Sequence, residues 1–358
     1  MEIKVLPLPA EKMKNKETDP DRLGFGRLFT DRMFIAEWTV DKGWHNACIK
    51  PYEPFVLDPA TAVLHYAQEI FEGLKAYRWE DGRIALFRPE MNARRFNQSA
   101  HRICMPEVPE ELFLDGIDML VNLEKDWIPG APGTSLYVRP AMIAVDPYLG
   151  VKPSDHYYFF VILSPVGAYY AAGFNPVGIM VEDKFVRAVP GGTGEAKTGG
   201  NYASSLKAGL EAKKKGYDQV LWLDGRERRY IEEVGAMNMF FAYGKHIVTA
   251  HLTGSILAGV TRESVLRLAL ELGCTVEERL IDVDELFADL KNGKVTEAFG
   301  SGTAAVITPV GKLCYRDEPV QIGNGGVGEI TRKLYDTLTG IQTGRIEDRY
   351  GWVRIVDL

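Results

Sequence analysis

The sequence has little that would place it on nucleic acid, in a disulfide framework or in a membrane. Its four cysteines, Cys48, Cys104, Cys274 and Cys314, are scattered, with no C-x-x-C pair and no histidine spaced to join one. Neither a metal site nor a disulfide scaffold is expected from that pattern, and the thiols read as those of a reduced, cytoplasmic protein. There is no basic excess. Against 42 lysines and arginines stand 49 acidic residues, a formal charge of −7, which argues against a nucleic-acid surface. The first residues, MEIKVLPLPAEKMKNKETD, contain no uninterrupted apolar region of the kind a signal peptide needs. The most apolar run, YYFFVILSPVGAYYAAGF (157–174), is broken by Ser164, Pro165 and Gly167. It reads as a buried strand and a connector, so no membrane partner is expected. No internal repeat is visible.

What remains is an ordinary globular balance, 46% apolar and 25% charged in 358 residues, enough for two domains. Residues 1–30 are polar and proline-bearing and read as a surface arm. MFIAEWTV (33–40), RIALFRP (83–89), SLYVRPAMIAV (135–145) and HYYFFVILSPV (156–166) read as strands, and 89–103 and 111–127 as helices. Residues 167–176 mix glycine, proline and small residues and form the candidate linker. Beyond it come a strand at 177–183, a helix from about Ala203 to Lys215 and a short apolar run at 218–225. A hairpin turn follows at YGKH (243–246), then an amphipathic helix at 261–273 that ends on glycine. VTEAFGSGTAAVITPVG (295–311) reads as strand, glycine turn, strand, and 328–344 as a closing helix. Helices and strands alternate irregularly in both halves, which predicts a mixed α/β (α+β) chain of two domains: 1–166, a linker at 167–176, and a larger domain at 177–358.

One segment stands out. VPGGTGEAKTGGNYA (189–203) crowds five glycines around Lys197, a composition suited to close approach of backbone to a ligand. Two chemistries fit a lysine there. Residues 191–198 match the P-loop pattern G-x-x-x-x-G-K-[ST] except at Ala196, where the amide nest needs glycine, and Pro190 interrupts the feeding strand. The other is a Schiff-base lysine carrying pyridoxal phosphate. That cofactor needs an amine, a phosphate cup, an acid for its ring nitrogen and backbone room. Lys197 offers the amine. Gly259-Val260-Thr261 opens a helix, where free amides and a hydroxyl suit a phosphate. Gly300-Ser301-Gly302-Thr303 is a second glycine turn, and Glu232 and Glu233 supply carboxylates.

FGRLFTDRMF, HYAQEIFEGLKAY, LFRPEMNARRFNQSAHR, TSLYVRPAMI, GGTGEAKTGGNYASSL, QVLWLDG, EEVGAMN, GSILAGVTRESV and EAFGSGTAAVITPVG together resemble the branched-chain amino-acid aminotransferases, from about residue 22 to the C-terminus. The resemblance implies a two-domain, fold-type IV pyridoxal phosphate enzyme, D-amino acid aminotransferase-like in fold, with the larger domain binding the cofactor. It implies reversible transfer of an amino group between leucine, isoleucine or valine and 2-oxoglutarate, with Lys197 as covalent anchor and proton shuttle. Arg95 would bind the cofactor phosphate, with Gly259, Val260, Thr261 and Thr303 completing the cup. Tyr202 would bond the phenolate oxygen, Glu233 the ring nitrogen, and Leu257 would pack on the ring.

The substrate pocket implied comprises Phe25, Tyr66, Phe71, Tyr137, Arg139 and Ala304. Tyr66, Leu149 and Val151 would reach the partner's site in a homodimer. Arg88 and Arg94, beside Arg95, read as surface charge or helix support. Two places depart from the family pattern. Ala305 and Thr308 stand where vertebrate members carry a C-x-x-C, which excludes a thiol switch there, and Ala236 stands where some relatives have threonine. A related fold-type IV enzyme acting on D-amino acids or as a lyase is the nearer alternative; a nucleotide-hydrolysing P-loop protein is the remote one.

Overall fold

The computed structural model describes residues 1–17, 19–167 and 174–356 of the chain. Most of the expected linker, residues 168–173, lies outside the described residues. Two compact units are present. The first comprises Met1–Tyr169, Ala196–Gly199 and Ile341–Leu358, and the second Tyr170–Glu195 and Gly200–Gly340. The short stretch around Lys197 and the C-terminal residues thus group with the N-terminal part of the chain.

The first unit is built on a nine-stranded sheet. Its strands run in the order Lys4–Val5, Gly43–Pro51, Arg32–Thr39, His156–Val166, Ser135–Ala144, Leu74–Arg78, Ile84–Phe87 and Val353–Ile355, with Glu69–Phe71 paired to Ser135–Ala144. Strict alternation in a strand sends successive side chains to opposite faces. In Ser135–Ala144, Leu136, Val138, Met142 and Ala144 join the core on one face, while Tyr137, Arg139 and Ala141 share the other. The helices Pro89–Arg102 and Glu110–Leu123 cover the core face. There Phe113 stacks on Phe159 and Phe96 packs tilted against it, with ring centroids 5.7 and 5.4 Å away. Gly116 lets the second helix approach, since a Cβ there would come within 3.0 Å of the Phe34 ring.

The second unit also carries a nine-stranded sheet, starting Ile231–Val234, Gln219–Leu223, Val177–Glu182, Val306–Tyr315, Glu297–Gly302, Met237–Tyr243. Ile231–Val234 pairs with Met237–Tyr243 as well, which closes these six strands into a ring. Closure leaves fewer exposed edges in this sheet. The path continues through His246–Ala250 and Thr275–Arg279, and Glu318–Gln321 hangs on Val306–Tyr315.

The mixed α/β class expected from the sequence holds, and three local readings change. The N-terminal arm is mostly exposed, yet Lys4–Val5 pairs in parallel with Cys48 and Ile49 at the sheet edge, and Leu23 is buried. The helix expected from Ala203 begins at Gly199. The helix expected over 111–127 ends at Leu123 and tightens into a short turn over Lys125–Trp127. Among the described residues, no helix is long and apolar enough to cross a membrane.

Candidate active site

In the first unit, Lys197 sits in an irregular link stitched to neighbouring elements on both sides. Its N–H donates to Ser99 Oγ at 2.9 Å, and its carbonyl accepts the Phe71 N–H at 3.0 Å. Thr198 Oγ1 donates to the Glu69 carbonyl at 2.7 Å, and the Gly199 N–H to the Glu69 carboxylate. Backbone bonds on either side of a side chain fix its root. The half-buried Lys197 Nζ stands 4.9 Å from the centre of the Phe71 ring.

Arg95 lies on the helix Pro89–Arg102 and is buried with Glu72. Arg95 Nε donates to Glu72 Oε1 at 2.7 Å and Nη2 to Oε2 at 2.9 Å, while Asn92 Nδ2 donates to Oε2 at 2.7 Å. Burial pushes the Glu72 carboxyl up, but the charges of Arg95 and Lys197 and these hydrogen bonds outweigh it. The group ends below the usual glutamate range. Arg88 and Arg94 do other work: Arg88 lies over the Trp352 ring, and Arg94 approaches Glu110 at the surface.

On the sheet face away from the core, Tyr137 and Arg139 stand two residues apart. The Phe25 ring meets Tyr137 edge-on at 5.0 Å. The Arg139 guanidinium lies 4.8 Å from the Phe71 ring centre and 5.4 Å from that of Tyr137. Its Nη2 reaches Tyr137 Oη at a long 3.5 Å, and its buried Nε has no hydrogen-bond partner among the described residues. Gly73 is required here, because a Cβ would fall 2.0 Å from Tyr137 Oη. Glu69 shares this face. Burial raises its carboxyl above the ordinary value, against the pull of the Gly199 amide and the Arg139 charge. Tyr66 Oη donates to the Leu149 carbonyl, and both residues lie exposed beside Val151, 87% exposed.

The second unit holds the two adjacent carboxylates expected from the sequence. Glu232 and Glu233 lie at a bulge in the pairing of Ile231–Val234 with Gln219–Leu223, an irregularity that re-aims side chains. Glu233 Oε1 accepts the Leu257 N–H at 2.7 Å, and Oε2 lies 3.2 Å from Arg187 Nε, an ion pair without hydrogen-bond alignment. Arg187 also donates to the Ser255 carbonyl, and Ser255 Oγ to Glu232 Oε1. Glu232 Oε2 is buried with no partner among the described residues, and burial raises this carboxyl above its ordinary value.

Gly259 is the cap of the helix Val260–Glu271 and has no side chain to occupy its first amides, the arrangement that receives anions at helix N-termini. Val260 and Thr261 are buried in that first turn, and Leu257 is half-buried just before it. Asn238 Nδ2 braces the segment through the Leu257 carbonyl at 3.0 Å. Thr303 and Ala304 form the turn between the strands Glu297–Gly302 and Val306–Tyr315. Tyr202 is half-buried in the first turn of the helix Gly199–Lys214. Gly194 packs so closely on the Ser255 carbonyl that a Cβ would lie 2.3 Å from it.

The structure thus brings Lys197, Arg95, Phe25, Phe71, Tyr137 and Arg139 into the first unit. Tyr202, Glu233, Leu257, Gly259, Val260, Thr261, Thr303 and Ala304 belong to the second. Sequence reasoning missed Glu72, Glu69, Arg187 and Ser255. Each acts by pairing with a residue far along the chain; Glu69, Glu72 and Ser255 lie inside motifs that carry the resemblance, but nothing local shows their partners. Among the described residues, no group of His, Cys, Asp and Glu is arranged to hold a metal ion.

Comparison with known proteins shows the family. Residues 69–313 match the family amino-transferase class IV. Branched-chain-amino-acid aminotransferase 2 of Bacillus subtilis (strain 168) is 56% identical over 339 residues, 95% of this chain and 93% of the relative. The crystal structure of the Escherichia coli branched-chain amino acid aminotransferase superposes with a TM-score of 0.75 at 28% identity, covering 90% of this chain and 99% of that one. That of the T.th. branched-chain amino acid aminotransferase complexed with N-(5'-phosphopyridoxyl)-L-glutamate gives 0.72 at 27%, covering 90% and 98%. Such matches do not suit a nucleotide-hydrolysing P-loop protein. With the family matched across most of its length and a relative sharing more than half its residues, the chain belongs to the class IV amino-transferases and, within them, to the branched-chain-amino-acid aminotransferases.

Proposed function

We propose that this aminotransferase moves an amino group reversibly between leucine, isoleucine or valine and 2-oxoglutarate, using pyridoxal 5'-phosphate. The observation that carries the reading is Arg139: a cation whose buried Nε has no hydrogen-bond partner among the described residues, set between the aromatic rings of Phe71 and Tyr137. A hydrocarbon side chain needs apolar walls, which Phe25, Phe71 and Tyr137 supply. A second carboxylate would be costly to bury alone, and Arg139 offers it a charge-assisted contact.

The residues fit the cofactor. The donor set includes the helix amides at Val260 and Thr261, the Thr261 and Thr303 hydroxyls and Arg95, all suited to a phosphate. Arg187 supplies the opposite charge that the buried Glu233 carboxylate needs. Pyridoxal phosphate, when bound, supplies an aldehyde that carries the amino group and a ring that takes up electrons as the α-proton leaves. Lys197 would be its covalent anchor until the substrate's amine takes that place, and the freed Lys197 Nζ would then take up the substrate's α-proton. Glu233 would hold a proton at the ring nitrogen, Tyr202 would bond the phenolate oxygen, and Leu257 would pack on the ring. Tyr137 orients the α-carboxylate end, and Ala304 lines the pocket. The work divides between an N-terminal part, 1–166, and a cofactor-binding C-terminal part, 177–358, joined at 167–176, although 196–199 and 341–358 group with the first unit. The working form is a cytoplasmic homodimer in which Tyr66, Leu149 and Val151 reach the partner's site.

Arg139→Ala decides the substrate reading. Single-turnover rates should fall far more with glutamate than with leucine, by about tenfold or more in the ratio. Equal losses would leave Arg139 a scaffold residue.

A further inference from the structure

One face of the first unit's sheet poses a question that the substrate reading does not answer. Arg139 must be tolerable in two states. With a dicarboxylate bound it has an anionic partner. With a hydrocarbon bound its direct contacts among the described residues are two ring faces and one long contact to Tyr137 Oη, and a half-buried cation without counter-charge is costly. The strand Glu69–Phe71 runs antiparallel beside Ser135–Ala144, with Glu69 opposite Ile143 and Phe71 opposite Ala141. Residues directly opposite share a face, and alternation carries that face to Arg139. Glu69, Phe71 and Arg139 therefore stand on one side of the sheet. The field of Arg139 reaches the Glu69 carboxylate, while the hydrogen bond of that carboxylate goes to the Gly199 amide. Glu69 is held in place by the Lys197 segment and acts on Arg139 at longer range than a hydrogen bond.

We propose that Glu69 is a specificity-determining residue that acts through Arg139. It is a resident counter-charge that keeps the arginine compensated when a hydrocarbon side chain fills the pocket and repels the distal carboxylate of a dicarboxylate when one enters. The backbone is shaped for it: a Cβ on Gly199 would lie 2.1 Å from Glu69 Oε1, so glycine at that position admits the carboxylate. This inference rests on the reading that Arg139 meets the distal carboxylate.

Glu69→Gln isolates the charge, because the amide retains an oxygen to accept the Gly199 N–H. The holoenzyme is assayed in the two half-reactions separately. Glu69→Gln should raise the ratio of kcat/KM for glutamate over that for leucine by on the order of two- to fivefold, the range of a partly exposed charge pair. Glutarate, a dicarboxylate with no amino group, should inhibit the variant at correspondingly lower concentration. Glu69→Asp, which withdraws the charge by one methylene, should move both readouts the same way by less, and serves if the glutamine variant fails to fold. An unchanged ratio and unchanged glutarate inhibition, with Arg139→Ala still selective against glutamate, would overturn the role of Glu69 alone. Equal losses in Arg139→Ala would overturn the parent reading and this one with it.

Discussion

Arg95 and Glu72 meet in a buried two-pronged ion pair, Nε to Oε1 at 2.7 Å and Nη2 to Oε2 at 2.9 Å. A guanidinium fixed by its fork on one side is preorganised on the other. Removing one partner of such a pair leaves an uncompensated buried charge. Glu72→Ala should therefore lower folding stability by about 3–5 kcal/mol, read from urea denaturation, and weaken pyridoxal phosphate binding. A loss under about 1 kcal/mol would show that the pair contributes little. The sign with pH follows from the lowered Glu72 carboxyl. Its stabilisation is present above the ordinary glutamate range and is lost as pH falls through the depressed value.

Glu232 should behave in the opposite sense. Its carboxyl is raised by burial, and one oxygen has no partner among the described residues. The charged form is the disfavoured one, so the penalty is present above the raised value and absent below the ordinary 4.5. Glu232→Gln should raise the melting temperature at pH 8 by on the order of 2–4 °C. The gain should shrink as the pH is lowered toward that ordinary value. A gain independent of pH would mean that the charge is not its cause.

How far the sequence shows this site depends on whether a residue acts locally. Lys197 among its glycines, the helix opening at Val260 and the glycine turn before Thr303 are readable because each is a local pattern of neighbouring residues. Glu72 is not, because its meaning is Arg95, 23 positions further on. Arg187 likewise acquires its role from Glu233 through a bulge that no periodicity shows. The helix at Gly199 reads four residues late in the sequence because glycines argue for a loop; a carboxylate from Glu69 on the Gly199 amide starts it instead. The N-terminal arm misleads for a similar reason. Two strand residues, Lys4 and Val5, are too few to make a pattern, and they find their register only against Cys48 and Ile49.

The exposed trio Tyr66, Leu149 and Val151 offers a test of the proposed homodimer. Val151 is 87% exposed and Leu149 62%, apolar surface that association would cover. Val151→Glu should shift sedimentation toward the monomer and reduce activity about tenfold or more, since a charge buried in an interface has no partner. A wild-type chain sedimenting as a fully active monomer would contradict the proposal.

Borohydride reduction of the holoenzyme followed by peptide mapping tests the central claim, that Lys197 is the lysine that bonds the cofactor. Reduction fixes the cofactor permanently on whichever amine holds it. A second buried amine makes the test discriminating: Lys75, held down to about 8 by burial, lies on the strand next to Tyr137. The account predicts one modified peptide, carrying Lys197. An adduct on Lys75 or any other lysine, with Lys197 unmodified, would contradict it.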